Sequence, residues 1–123
     1  MTDADAQLRE ALAALRVDDR EPPSLGGLLR AWRELTAAVE RGYDWSVDEY
    51  WNDLACRDQL ARVRDAAPAY AGRLDDELRV PDERFRAATR ESRRPREGAR
   101  WFMNCVPIAP GPELAGDIEA LGL

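Results

Sequence analysis

The sequence predicts an all-α fold, a compact bundle of four to five helices with an arginine-rich loop and a C-terminal apolar strip plus short helix. Apolar residues recur at intervals of three and four through most of the first 90 residues, which is the spacing of one helix face. Capping residues, glycines and prolines divide this pattern into separate segments. A chain of 123 residues has room for one core, so residues 1–123 are expected to form a single helical domain.

The first two helices are predicted at residues 3–16 and 25–41. The polar, proline-containing residues 17–24 separate them and indicate a loop. The second helix carries a narrow apolar stripe that is typical of a core-facing helix. Gly42 then stands where a left-handed C-terminal cap is favoured.

The third helix is predicted at residues 46–66, where Ser46 and Glu49 form an S-x-x-E capping box. The fourth begins near Pro68 and is expected to continue to about Arg90. Pro81 interrupts it, but the apolar stripe keeps its phase on both sides. One kinked helix is therefore favoured over two separate ones.

The remaining residues form two segments of different character. Residues 91–100 are polar, rich in arginine and broken by proline and glycine, so they predict a loop. Residues 101–123 begin with an apolar strip and end in a short helix, and we expect them to dock on the bundle. A strand is expected nowhere except within residues 101–108. Docking in cis and docking on a neighbouring chain both remain open.

The composition removes several kinds of chemistry. The chain has no histidine, and all 18 of its basic residues are arginine. Histidine-based nucleophilic catalysis and lysine Schiff bases are thus excluded. Cys56 and Cys105 lie far apart and are expected to be reduced packing residues. We expect no enzyme activity, no cofactor and no metal site.

Charge is distributed unevenly along the chain. Residues 1–83 carry 11 arginines against 19 acids, whereas residues 84–100 carry seven arginines against two acids. An acidic body repels phosphate and argues against general nucleic-acid binding. The acidic N-terminus does not resemble a secretory signal, and no apolar run is long enough for a membrane span. A cytoplasmic location is therefore expected.

Residues 42–58 combine four large aromatic side chains with five acids. Tyr43 and Trp45 lie in the short loop between the second and third predicted helices. They are expected to contact a partner there, because aromatic anchors dominate protein interfaces. The neighbouring acids expected to take part are Asp48, Glu49 and Asp53. By contrast, Tyr50 and Trp51 fall on the core stripe and are expected to pack inside.

Helix geometry also places Asp58 near the middle of that core stripe. A buried carboxylate is costly unless it is paired, so an arginine or a backbone donor is expected to meet it. Asp53 with Arg57, and Asp58 with Arg62, have the i, i+4 spacing of weak surface ion pairs.

Two alternative functions rest on other charged groups. A magnesium-dependent nucleotide hydrolase would need convergent carboxylates, drawn from Asp48, Glu49 and Asp53 on one helix and Asp75, Asp76 and Glu77 on the next. Their spacing does not match that of known helical pyrophosphatases. Binding of single-stranded nucleic acid would use the basic run, namely Arg93, Arg94, Arg96 and Arg100, with Trp101 and Phe102 for stacking.

By elimination, the sequence favours a small cytosolic protein–protein interaction domain without enzymatic activity. It would act as a regulator, an adaptor or a toxin-neutralising partner, and would present an acidic, aromatic-edged surface to another, basic protein. Formation of a homodimer stays open.

Overall fold

A computed structural model describes residues 2–123. Most of these residues are helical, which confirms the predicted fold class. A 3-10 helix at Trp101–Asn104 precedes the second of two short strands. The other elements, in chain order, are α1 (Asp3–Ala13), α2 (Leu25–Arg41), α3 (Val47–Asp53), α4 (Ala55–Ala66), α5 (Ala71–Ala88), β1 (Thr89–Glu91), β2 (Cys105–Pro107) and α6 (Pro112–Leu121).

Helix α2 lies at the centre of the bundle and packs against α4 and α5, while α1 packs on α4. The Ser24 hydroxyl accepts a hydrogen bond from the backbone N–H of Gly27, which caps the start of α2. The predicted apolar stripe of α2 is buried, and Trp32 on this stripe is fully enclosed. Trp32 is therefore one of the fully buried side chains of the core.

The predicted third helix is in fact two helices, because the chain turns at Leu54 between α3 and α4. This turn lets the two halves face different neighbours. Helix α3 packs on α6, whereas α4 packs on α1, α2 and α5. The Ser46 side chain does cap α3, accepting from the backbone N–H of Glu49 at 3.2 Å. The predicted start of the third helix at Ser46 is confirmed, whereas the prediction of one continuous helix over residues 46–66 was wrong.

Helix α5 runs unbroken through Pro81, as expected, but it ends at Ala88 rather than near Arg90. The Thr89 backbone is extended, and its hydroxyl donates to the carbonyl of Phe85. Strand β1 then pairs antiparallel with β2, with Arg90 opposite Val106. The prediction missed β1 because three residues are too few to show alternation.

The C-terminal segment docks on the helices of its own chain. Four of its apolar side chains are buried in the core, whereas Ile108 and Leu121 stay exposed. The buried members are Phe102, Val106, Leu114 and Ile118. The segment thereby closes the bundle and brings α6 beside α3.

Candidate functional site

The loop between α2 and α3 displays Trp45 on the surface. Its first residue, Gly42, has φ of +106° and terminates α2, its N–H donating to the carbonyl of Val39. A side chain would be strained in this left-handed conformation. The loop ends at Ser46, the cap of α3. Trp45 thus stands between two capped helix ends rather than on a long free loop.

The C-terminal segment holds the same loop from its other side. The carbonyl of Tyr43 accepts from the backbone N–H of Gly111, and the Asp44 carboxylate accepts from that of Glu113. In return, the Asp117 carboxylate of α6 accepts from the backbone N–H of Val47. These bonds tie the loop and both helix starts together.

Gly111 is required for this close approach. A Cβ atom at this position would lie 2.3 Å from both Cβ and Cγ of Asp44, well inside van der Waals contact. The glycine therefore lets the Asp44 side chain reach the first turn of α6.

A surface groove of about 300 Å³ lies beside Trp45. The Trp45 side chain is 64% exposed, the largest exposure among the big apolar side chains of the described chain. Glu34 and Asp53 contribute carboxylates from α2 and α3. The other residues lining the groove are Ala31, Leu35, Ala38 and Tyr43. We call this combination the Trp45 groove.

Tyr43 corrects an expectation, because it is only 4% exposed and belongs to the core. Its ring packs edge-on against Tyr50 at a centroid distance of 5.4 Å. Its hydroxyl donates to Oδ2 of Asp53 at 2.5 Å. Burial, followed by this bond to the carboxylate, raises the pKa of Tyr43, so the hydroxyl stays protonated. Tyr43 positions Asp53 instead of presenting an aromatic face to a partner.

The other residues of the predicted surface lie on α3. Asp48 and Glu49 are exposed in its first turn and, within residues 2–123, form no salt bridge. Tyr50 is buried as predicted, and its hydroxyl donates to the carbonyl of Cys105. Trp51 is only partly buried, with the Arg96 guanidinium 5.2 Å from its ring centroid.

Asp58 is not the buried carboxylate that helix geometry predicts. Its side chain is 42% exposed and pairs with Arg100 at 3.0 Å, and Arg100 also reaches Asp65 at 3.2 Å. The buried face of α3 and α4 runs through Tyr50, Leu54 and Arg57, so Asp58 lies at the edge of that face and not at its centre. An arginine does meet this carboxylate, but at the surface.

The buried charge pair lies elsewhere, between Arg57 of α4 and Asp82 of α5. Arg57 donates from Nε and Nη2 to the two carboxylate oxygens, both at 3.0 Å. The indole N–H of Trp32 donates to the same carboxylate at 3.0 Å. The guanidinium also lies 5.2 Å from the ring centroid of Phe102. Both carboxylate oxygens of Asp82 and the indole N–H of Trp32 are therefore hydrogen-bonded within the core.

Sequence reasoning missed this pair, although it left a signal. Arg57 lies three residues before Leu60, and Asp82 lies three residues before Phe85. A charged residue thus stands within the buried stripe of each helix. Assigning Arg57 to a surface pair with Asp53 was wrong, because α4 turns it inward.

The arginines of the alternative basic surface fold back on the body. Arg94 donates to the carbonyl of Leu121, and the backbone N–H of Arg93 donates to that of Leu123. The backbone N–H of Arg96 donates to Oδ1 of Asn104. Of these four guanidinium groups, that of Arg100 pairs with carboxylates and that of Arg94 bonds a carbonyl, whereas these bonds of Arg93 and Arg96 are made by the backbone.

Two of the acids considered for a hydrolase site form ion pairs with arginines of other helices. Asp75 pairs with Arg64, and Glu77 pairs with Arg33. In residues 2–123, no three acidic or cysteine side chains come together as a group that could hold a metal ion. The two thiols are not joined, and burial raises the pKa of Cys56 to about 11 and also raises that of Cys105.

Comparison with known proteins gives no match to a family model, to a curated protein or to a solved structure. In the part of the chain that the structure describes, no helix has the length and apolar character needed to cross a bilayer.

Proposed function

We propose that this chain is a protein–protein interaction domain whose Trp45 groove binds a positively charged segment of another protein. The observation that carries the proposal is the 64% exposed Trp45 beside a groove with carboxylates in its wall. Tryptophan is among the residues that contribute most binding energy when they become buried at an interface.

The loop geometry favours binding because little ordering is needed. Gly42, Asp44 and Ser46 each take part in a backbone hydrogen bond around Trp45. A side chain on a pre-ordered loop loses less conformational entropy on association than one on a free loop. The indole is therefore presented in a form suited to docking.

The charge of the groove and its surroundings selects the sign of the partner. Glu34 and Asp53 line the groove, and Asp48 and Glu49 follow Trp45 along the chain. The first 83 residues have eight more acids than arginines. Such a surface attracts a cationic partner and accelerates its association at low salt.

The size of the groove favours a side chain of a protein partner over a cofactor. Its volume of about 300 Å³ is at the lower limit for small-molecule sites, which span about 300–1,000 Å³. Within this proposal, the chain acts in the cytosol as a regulator, an adaptor or a toxin-neutralising partner, without catalysis of its own.

The test is an NMR titration of the ¹⁵N-labelled chain with a nine-residue peptide carrying two arginines and two lysines. We expect the Trp45 indole signal, assigned from Trp45→Phe, to shift in a saturable way. The affinity, measured in each protein from the backbone amide signals of residues 42–46, should fall at least tenfold in Trp45→Ala and fall with added salt. A peptide with four acidic residues in place of the basic ones should not bind.

One further groove variant and two control variants separate the contribution of the groove from general effects of charge and apolar surface. Glu34→Gln should weaken binding, whereas Glu10→Gln removes the same charge from an exposed site on α1 and should change it little. Val80→Ala removes an exposed apolar side chain outside the groove and should leave the affinity unchanged. Equal binding to wild type and Trp45→Ala, or no binding of the basic peptide at millimolar concentration, would contradict the proposal.

A further inference from the structure

Arginines lie over the rings of three of the four tryptophans in this chain. The guanidinium of Arg57 lies 5.9 Å from the ring centroid of Trp32, and that of Arg86 lies 3.8 Å from that of Trp101. Arg96 is placed in the same way over Trp51, at 5.2 Å. Each distance is within the range of a cation–π interaction.

Trp45 is the exception within residues 2–123, because no arginine of the described chain lies over its ring. It is also the most exposed tryptophan. The groove beside it supplies the carboxylates of Glu34 and Asp53. At Trp32, the same combination of an indole and a carboxylate surrounds the side chain of Arg57.

We infer that the Trp45 groove selects an arginine side chain of the partner, with the guanidinium over the indole and paired with a groove carboxylate. This inference rests on the proposed function and narrows it from a cationic segment to a guanidinium. The tyrosine bond to Oδ2 of Asp53 holds that carboxylate in place, while Glu34 is exposed and free of salt bridges within the described residues.

Physical chemistry favours arginine over lysine at such a site. A guanidinium is planar, stacks on an aromatic face and donates two parallel hydrogen bonds to a carboxylate. A lysine ammonium is a compact, strongly hydrated charge and loses more solvation against an indole. The groove should therefore distinguish two peptides of equal charge.

The test compares three acetylated, amidated peptides of sequence Gly-Ser-X-Gly-X-Ser-Gly, where X is arginine, lysine or citrulline. Each is titrated into the labelled wild-type chain and its variants, and the backbone amide signals of residues 42–46 are followed, which Trp45→Ala also has. We expect the arginine peptide to bind about threefold to thirtyfold more tightly than the lysine peptide. Citrulline keeps the planar shape without the charge, so its peptide should bind more weakly than both.

Trp45→Ala should abolish the preference for arginine, and Val80→Ala should retain it. Equal affinities for the arginine and lysine peptides, both lost in Trp45→Ala, would overturn the arginine inference and leave the proposed function standing. A preference that survives in Trp45→Ala, or a citrulline peptide that binds as well as the arginine peptide, would also overturn it. Failure of both charged peptides to bind would contradict the inference and the proposed function together.

Discussion

Trp32 and Trp45 show how the same chemical groups serve different purposes in two regions of one molecule. Each indole lies near carboxylates, Asp82 in the core and Glu34 and Asp53 at the surface groove. Trp32 is fully buried, and the chain's own Arg57 neutralises its carboxylate. Trp45 is exposed, and no arginine of the described chain covers it.

The two tryptophan sites differ because water reaches the carboxylates of one site and is excluded from the carboxylate of the other. In the core, an unpaired carboxylate costs several kcal/mol, so the fold has to provide its own cation. At the surface, water solvates Glu34 and Asp53, and their pairing can await a partner. The buried region should therefore control stability, and the exposed region should control binding.

The largest expected effect is on stability, at the buried pair. Asp82→Ala leaves the Arg57 charge and the Trp32 indole N–H without their acceptor, and should lower the free energy of unfolding by about 3–5 kcal/mol. Urea unfolding followed by circular dichroism measures it. The double variant Arg57→Met with Asp82→Asn removes both charges and should recover much of the loss. A decrease below about 1 kcal/mol in Asp82→Ala would show that the pair contributes little.

Gly111→Ala should have the next largest effect, because its Cβ would overlap the Asp44 side chain. We expect a loss of about 1–3 kcal/mol in the free energy of unfolding. Binding at the Trp45 groove should also weaken, because the loop loses its tie to α6. Gly116→Ala is the control inside α6, where nothing obstructs a Cβ. It should stabilise the chain by about 0.5–1 kcal/mol, so equal behaviour of the two variants would argue against the contact.

Tyr43→Phe should lower the free energy of unfolding by about 1 kcal/mol, since it removes one hydrogen bond to Asp53. Chemical denaturation at neutral pH measures this loss. Basic-peptide binding should persist, although weaker, because Trp45 and both groove carboxylates remain. Loss of all binding would instead assign the tyrosine itself to the interface.

The pH dependence of the same variant gives a second readout. Burial raises the pKa of Tyr43 in the folded state above its ordinary value of 10.0. The resulting stabilisation is complete below pH 10 and is lost at higher pH, because the unfolded tyrosine ionises first. Tyr43→Phe should therefore lose stability less steeply above pH 10 than wild type. Tyr50, which is buried in both proteins, cancels in this comparison.

The smallest expected effect on stability belongs to Trp45→Ala. An exposed side chain outside the core should change the free energy of unfolding by less than about 0.5 kcal/mol, even though the same change removes the anchor for binding. Thermal and urea unfolding measure the first quantity, and the peptide titration measures the second. A loss above about 2 kcal/mol would show that Trp45 packs as a structural residue, and the contrast with Trp32 would fail.

Local signals predicted the helices well and their breaks less well. The Ser24 and Ser46 caps and the C-terminal Gly42 marked three helix ends correctly, because capping depends on neighbouring backbone groups. The turn at Leu54 gave no such signal, since neither proline nor glycine stands there. The packing of α3 on α6 likewise joins segments that are far apart in the chain.

The candidate site was also predicted only in part, because local sequence indicates loop positions but not contacts between distant segments. Trp45 was expected at the surface from its place between Gly42 and Ser46, and it lies there. Tyr43 has almost the same local surroundings but is buried against Tyr50 and Asp53. Glu34 was not predicted, because only the fold brings α2 beside the loop.

The sequence by itself determined the helical class, most helix starts and the chemistry available, because these depend on local periodicity, capping and residue type. Only the tertiary structure decided which charges are buried and which surround Trp45. Burial depends on how distant helices pack, as Arg57 and Asp82 demonstrate: 25 residues apart in the chain, they meet in one hydrogen-bonded pair. Each charge stands within a buried helical stripe, but no local pattern shows that these two residues meet, and solvent exclusion acts only once the core has closed.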